Sequence, residues 1–180
     1  MSSFLRKRLR RAIAPTIVLA LMGLSIVSCK KSTDSLLKWR AENDEAFESY
    51  AKKPGFKKVG VDGVTSYIYM NWLKNGDGKV HPISTSRVYV HYETYQLVNG
   101  TKLDGNFGQL KPALFEMNRG SKSVVEGFAM ALQNMVVGDE TEFVVPWILA
   151  YGDQRNGSIQ PYSALRFKVT LDSIVPENIL

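Results

Sequence analysis

Two polar side chains stand where packing alone gives them no reason to be. Tyr151 lies in a loop directly after an apolar strand, and Asp104 is a single acid among the apolar residues of KLDGNF at 102–107. A phenol and a carboxylate in such surroundings cost free energy unless they hydrogen-bond, and loops on rigid strands commonly carry binding groups. The chemistry open to them is hydrogen bonding. More reactive residue types are poorly placed. His81 and His91 are the two histidines, one in a loop and one on the outer face of a strand; they read as two solvated side chains, without the convergence that a metal site or a nucleophile with its base needs. Asn75, Gly76, Asp77 and Gly78 lack the further oxygen ligands and closing glutamate of a calcium loop and read as a plain turn. No metal and no cofactor is implied.

The elements that must position these residues follow from periodicity. Residues 144–171 form a strand, a loop and a strand. Leu165, Phe167, Val169 and Leu171 alternate with Arg166, Lys168, Thr170 and Asp172, as a half-buried antiparallel strand requires. The first strand, 142–146, ends at Pro146, and the loop carries Tyr151, Gly152, Asn156, Gly157 and Pro161. Further strands are expected over 64–72, 87–97 and 111–117, with 102–107 leading out of a turn at Asn99 and Gly100. Leu36, Trp39, Asn43, Phe47 and Tyr50 recur at helical spacing after a cap at Thr33 or Asp34, and Lys53, Pro54 and Gly55 stop that helix. Its apolar stripe is read as packing on its own domain. Ser123 to Glu126 reads as a capping box that opens a second, short helix with Val124, Val125, Phe128, Ala131, Leu132 and Met135 on its buried side, closed by a left-handed Gly138. Strands, one short helix and strands predict an α+β domain whose curved antiparallel sheet wraps that helix.

Charge and the N-terminal stretch narrow the setting. The formal charge is +6, from 23 basic against 17 acidic residues. Five of the bases are Arg6, Lys7, Arg8, Arg10 and Arg11; without residues 1–28 the balance is 18 basic to 17 acidic. No basic stripe remains to follow phosphates, so nucleic acid is not an expected partner. The cationic head and apolar run have the layout of a secretory signal peptide. The run ends at Ile26, Val27, Ser28 and Cys29, which resembles the lipobox of bacterial lipoproteins. On that resemblance 1–28 is a signal peptide and Cys29, the only cysteine, is lipidated. Residues 29–34 are then a tether, 35–84 a helix and strand extension, and 85–180 the main domain. Two acyl chains would anchor it stably where one is marginal, placing it in the cell envelope, on the outer membrane facing the periplasm. The mature chain would hold no free thiol.

Several pieces then agree in order and spacing. Val90, His91 and Tyr92 precede Asn99 and Gly100, then Leu103 and Asp104; Val124, Val125, Glu126, Gly127 and Phe128 come next; Gly138, Asp139 and Glu140 follow; Leu149, Ala150, Tyr151 and Gly152 lead to 164–169. As a set, over 87–174, they resemble the FKBP type of peptidyl-prolyl cis/trans isomerase. The resemblance implies a shallow apolar pocket for a prolyl residue in exported, unfolded or extended proteins. Tyr92, Asp104, Phe128 and Tyr151 take the place of the catalytic side chains, and Leu103, Phe115, Val124, Val125 and Phe167 that of substrate-binding ones. Phe128 stands where the family has an aromatic floor. The main-chain N–H at Val125 and the hydroxyl at Tyr151 stand where it has ligand hydrogen-bond donors. Phe115 and Phe167, both mid-strand, fit core and pocket roles equally well.

Departures from the family pattern are Leu103 in place of a phenylalanine, Ala113 in place of an aromatic residue, Phe128 where tryptophan is frequent, and Gln160 before Pro161 where two prolines are common. The pocket stays apolar but becomes less aromatic. Leu103, Ala113 and Gln160 motivate a second reading, a binding module or chaperone of the same fold without turnover.

Overall fold

The computed structural model describes residues 33–60, 65–117 and 124–176; Cys29 and the signal-like stretch, Val64 and Ser123 lie outside them. The chain divides into two units after Lys38, and of the first only 33–38 are described. Helix α1 covers 33–48 and tightens into a 3-10 turn at Ser49–Lys52. Strands β1 (Lys57–Gly60), β2 (Tyr67–Lys74), β3 (Arg87–Gln96), β4 (Lys102–Gly105) and β5 (Ala113–Glu116) follow, then helix α2 (Glu126–Gln133) and strands β6 (Glu140–Val145) and β7 (Leu165–Val175). The seven described strands form one antiparallel sheet in the order β1-β2-β6-β7-β3-β4, with β5 beside β4 along the same flank of β3. The α+β class and the sheet that wraps one short helix are as the periodicity predicts.

Register explains where the two faces go. Thr94, Phe167 and Phe143 lie opposite one another across β3, β7 and β6, and Tyr92, Val169 and Thr141 form the next row. Directly opposed residues of an antiparallel pair share a face, so these rows, with Ile68, Met70, Val88, Val90 and Val145, make one apolar surface under α2. Helix α2 meets it through Gly127, Phe128, Ala131 and Leu132. Gly127 is required by the closeness of that packing, since a Cβ there would lie 2.3 Å from Val145 Cγ1.

The alternate residues Tyr69 and Val144 face the other way, where Phe47 of α1 and Tyr50 of the 3-10 turn cover them together with Ala164. From Trp39 onward the helix docks on its own domain. Asn43, fully buried in the stripe, accepts the Ala164 N–H through Oδ1 at 2.8 Å and donates through Nδ2 to the Trp39 carbonyl at 2.8 Å.

Several local expectations change. Helix α2 starts later than the capping box implies: Val125 is its N-cap, extended at ψ 151°, with no side-chain cap, and Glu126 is already the first helical residue. Glu126 therefore cannot close a box from the third position. Residues 75–78 make no turn. They run beside the segment after α2, where the Gly76 N–H donates to Asp139 Oδ1 at 2.7 Å and the Gly78 N–H to the Val137 carbonyl at 3.1 Å. Strand β1 was not expected; four residues are too few for a clear alternation. His91 is not a solvated side chain either. Its Nδ1 lies 2.9 Å from Asp172 Oδ2 and its Nε2 3.1 Å from the Gln109 carbonyl oxygen, so it ties β3 to β7 and to the loop after β4.

Candidate active site

A cavity of about 330 Å³ opens between the start of α2, the β3–β4–β5 flank and the loop after β6. Its floor is Phe128, 3% exposed, the third residue of α2. Because Val125 remains extended, the chain enters the helix with Val124 and Val125 lining the cavity and Phe128 turned onto the sheet. The Phe128 ring stands edge-on to Phe115 (5.6 Å, 83°) and to Phe167 (5.1 Å, 80°), and lies 5.5 Å from Phe143. Edge-to-face packing of this kind fixes ring orientation as well as burying area. Phe115 and Phe167 belong to the core and also line the cavity, so both readings of those two residues apply at once.

The polar side of the cavity is built on β3 and β4. Tyr92 packs its ring on Phe115 at 5.1 Å and donates its hydroxyl to Asp104 Oδ2 at 2.6 Å. The other carboxylate oxygen of Asp104 accepts the Gly105 N–H at 2.8 Å. Asn106 locks the strands together, accepting the Tyr92 N–H at 2.7 Å and donating to the Val90 carbonyl at 3.2 Å. Burial, and then the Asp104 carboxylate, push the Tyr92 phenol far above its ordinary range. Burial first, then the Asp104 charge, raises that of Tyr151 too. Both phenols stay neutral at physiological pH; Tyr92 spends its hydrogen on Asp104, and Tyr151 keeps its own as a donor.

Tyr151 lines the opposite wall, half-buried at the end of the 3-10 turn Trp147–Leu149. No described residue accepts a hydrogen bond from its hydroxyl, and none accepts from the main-chain N–H of Val125. Among the described residues, two donors therefore remain unspent at an apolar cavity. Leu103 and Asp104 line it as well, so all nine site residues named from the sequence border one space. Gln160 and Ala113 do not line it. Sequence reasoning missed Thr94 and the tip 156–159 as lining residues. Thr94 sits two residues after Tyr92 on the same face of β3, which period-two alternation shows. The tip closes on itself through paired hydrogen bonds between Asn156 and Ile159 (3.1 and 2.9 Å) around Gly157 and Ser158. Asn-Gly is a hairpin signal, and Ile159 is an apolar residue on that hairpin.

The family model described as FKBP-type peptidyl-prolyl cis-trans isomerase matches residues 78–172. The chain belongs to the FKBP family. Among curated FKBP relatives, the 22 kDa FKBP-type peptidyl-prolyl cis-trans isomerase of Escherichia coli is 38% identical over 120 residues, covering 66% of this chain and 55% of that one. The outer membrane protein MIP of Legionella longbeachae is 34% identical over 155 residues, covering 82% of this chain and 64% of that one. The chain thus spans only part of the length of both. Among solved structures, a peptidyl-prolyl cis-trans isomerase of Pseudomonas syringae superposes with a TM-score of 0.63 at 30% identity, over 77% of this chain and 93% of that one. The FKBP match takes in β3 to β6 and most of β7, the elements that carry the cavity.

Proposed function

We propose that the chain accelerates cis/trans rotation about the peptide bond before proline in unfolded or extended segments of exported proteins. The observation that carries this reading is a pair of donors without an acceptor among the described residues, the Tyr151 hydroxyl and the Val125 N–H, at a cavity floored by Phe128. Uncatalysed rotation is opposed by ~18–20 kcal/mol because resonance keeps the amide planar, and it takes tens to hundreds of seconds for X–Pro bonds. In the transition state the bond is twisted and much of the resonance is lost. An apolar site disfavours the dipolar planar amide relative to the twisted one, and donors set for the twisted geometry bind it more tightly than either ground state. The proline ring sits on Phe128 between Phe115 and Phe167, Tyr92 and Asp104 hold one side of the chain, and Tyr151 and Val125 meet its carbonyls. No proton is transferred and no covalent intermediate forms.

Exchange spectroscopy by NMR on a proline-containing peptide tests this directly. The wild-type chain should broaden and exchange the cis and trans resonances at substoichiometric amounts, and Tyr151→Phe should lower the exchange rate about three- to tenfold, the loss of one hydrogen bond. Binding of the peptide without exchange would favour the non-catalytic module.

Anchoring through lipidated Cys29 completes the proposal. The lipobox-like run Ile26 to Cys29 supports it, as does the name of the Legionella relative, an outer membrane protein. No described helix is long and apolar enough to cross a membrane. Metabolic labelling with a tagged fatty acid should mark the wild-type chain in envelope fractions and leave Cys29→Ser unmarked; equal labelling of both contradicts the anchor.

A further inference from the structure

From Trp39 onward, helix α1 lies behind the loop that presents Tyr151, and the contacts of this part fall on that loop in an ordered way. Residues four apart on a helix stack on one face. Trp39 and Asn43 form one such pair: Trp39 Nε1 donates to Ser163 Oγ at 3.2 Å and Asn43 Oδ1 accepts the Ala164 N–H at 2.8 Å. Arg40 and Asp44 form the next. The Arg40 guanidinium lies 4.7 Å from the Trp147 ring centroid and 5.3 Å from that of Tyr162, and these two rings stand edge-on to each other at 5.0 Å. Asp44 accepts the Trp147 indole N–H at 2.7 Å and lies 3.7 Å from Arg40 Nε.

Trp147 and Tyr162 are the residues that fix the backbone on each side of Tyr151. The Trp147 carbonyl accepts the N–H groups of Ala150 (3.1 Å) and Gly152 (2.9 Å), which flank Tyr151. The Tyr162 N–H donates to the Gly152 carbonyl at 2.8 Å. Tyr162 does this from a left-handed conformation, φ 62°, the one described non-glycine residue in that region. Such a backbone persists only where surrounding contacts hold it, and the described contacts on its ring come from Trp147 and Arg40.

We propose that Arg40, with Asp44, is a positioning residue for the FKBP site: it clamps Trp147 against Tyr162 and so sets where the Tyr151 hydroxyl stands in the cavity. The clamp rests on the proposed role of Tyr151 as a donor to substrate. The described polar and ring contacts of Arg40 fall on Asp44, Trp147 and Tyr162, none of which lines the cavity, so it acts through the loop. Lysine would not replace it, because a planar guanidinium can stack on two rings while an ammonium is a point charge. The sequence signal is the spacing of Trp39, Arg40, Asn43 and Asp44, two adjacent four-residue pairs, against Trp147 and the 162–164 run.

The test is a double-mutant cycle in the full chain, read by isomerisation and by amide hydrogen exchange. Arg40→Ala should lower kcat/KM about three- to tenfold, the scale of a stacked cation contact, and Arg40→Lys should recover little of it. In a Tyr151→Phe background the same Arg40→Ala change should cost less than about twofold, since the hydroxyl it places is already gone. Independently of turnover, exchange of the Ala150, Gly152 and Tyr162 amides should speed up in Arg40→Ala while amides of the central β3–β7 ladder stay protected. Equal losses in both backgrounds overturn the clamp, as do unchanged amides at those three positions. If the wild-type chain shows no isomerisation, the proposed function fails and the exchange data alone decide the clamp.

Discussion

At the scale of residues, the proposed site rests on phenols that stay protonated. The Tyr92 phenol titrates far above its ordinary 10.0, chiefly through burial and then through Asp104, and Tyr151 is raised by burial. In the unfolded chain both lose their protons near the ordinary value. Their contribution to stability is therefore complete below about pH 10 and is lost as pH rises towards the folded-state values. Urea midpoints should hold steady up to about pH 9 and fall beyond about pH 10, and Tyr92→Phe should flatten part of that fall; a midpoint independent of pH there contradicts it. Tyr151 and Asp104 were legible because each breaks a local pattern, a tyrosine in a loop and an acid between apolar residues. The paired hydrogen bonds of His91 were not. Asp172 and Gln109 are distant in sequence, and only the β3–β7 register and the loop after β4 bring them to the ring.

At the scale of elements, α2 is held to the sheet at a distance that only glycine allows. Gly127→Ala would press a Cβ into Val145, which is fully buried and has no room to yield. Overpacking should cost about 1–3 kcal/mol in chemical denaturation, against a helix-propensity gain of ~1 kcal/mol; a variant as stable as wild type would show that α2 can shift. Alternation made β7 and β3 legible, since each has one buried and one charged face. The start of α2 departs from the expectation because Ser123, Val124, Val125 and Glu126 satisfy the capping pattern locally, while Val125 is itself the extended N-cap. The apolar stripe of α1 was legible as docking, but its polar member was not: nothing in the spacing tells that Asn43 reaches the Ala164 N–H, 121 residues away.

At the scale of the whole molecule, an FKBP domain gathers nine residues from four strands, the start of α2 and one loop around a single cavity, with the part of α1 from Trp39 onward behind that loop. The motif set made this arrangement legible because each piece marks a different element and their order fixes the topology. Lining by the 156–159 tip was less legible, since the paired hydrogen bonds of that hairpin depend on backbone geometry more than on composition. The central claim is catalysis of prolyl rotation, and proline-limited refolding of a protein substrate measures it most directly. The folded chain, added in substoichiometric amounts, should shorten the slow phase, and Tyr151→Phe should restore part of its length. A slow phase unchanged at micromolar concentrations of folded wild-type chain would contradict the account.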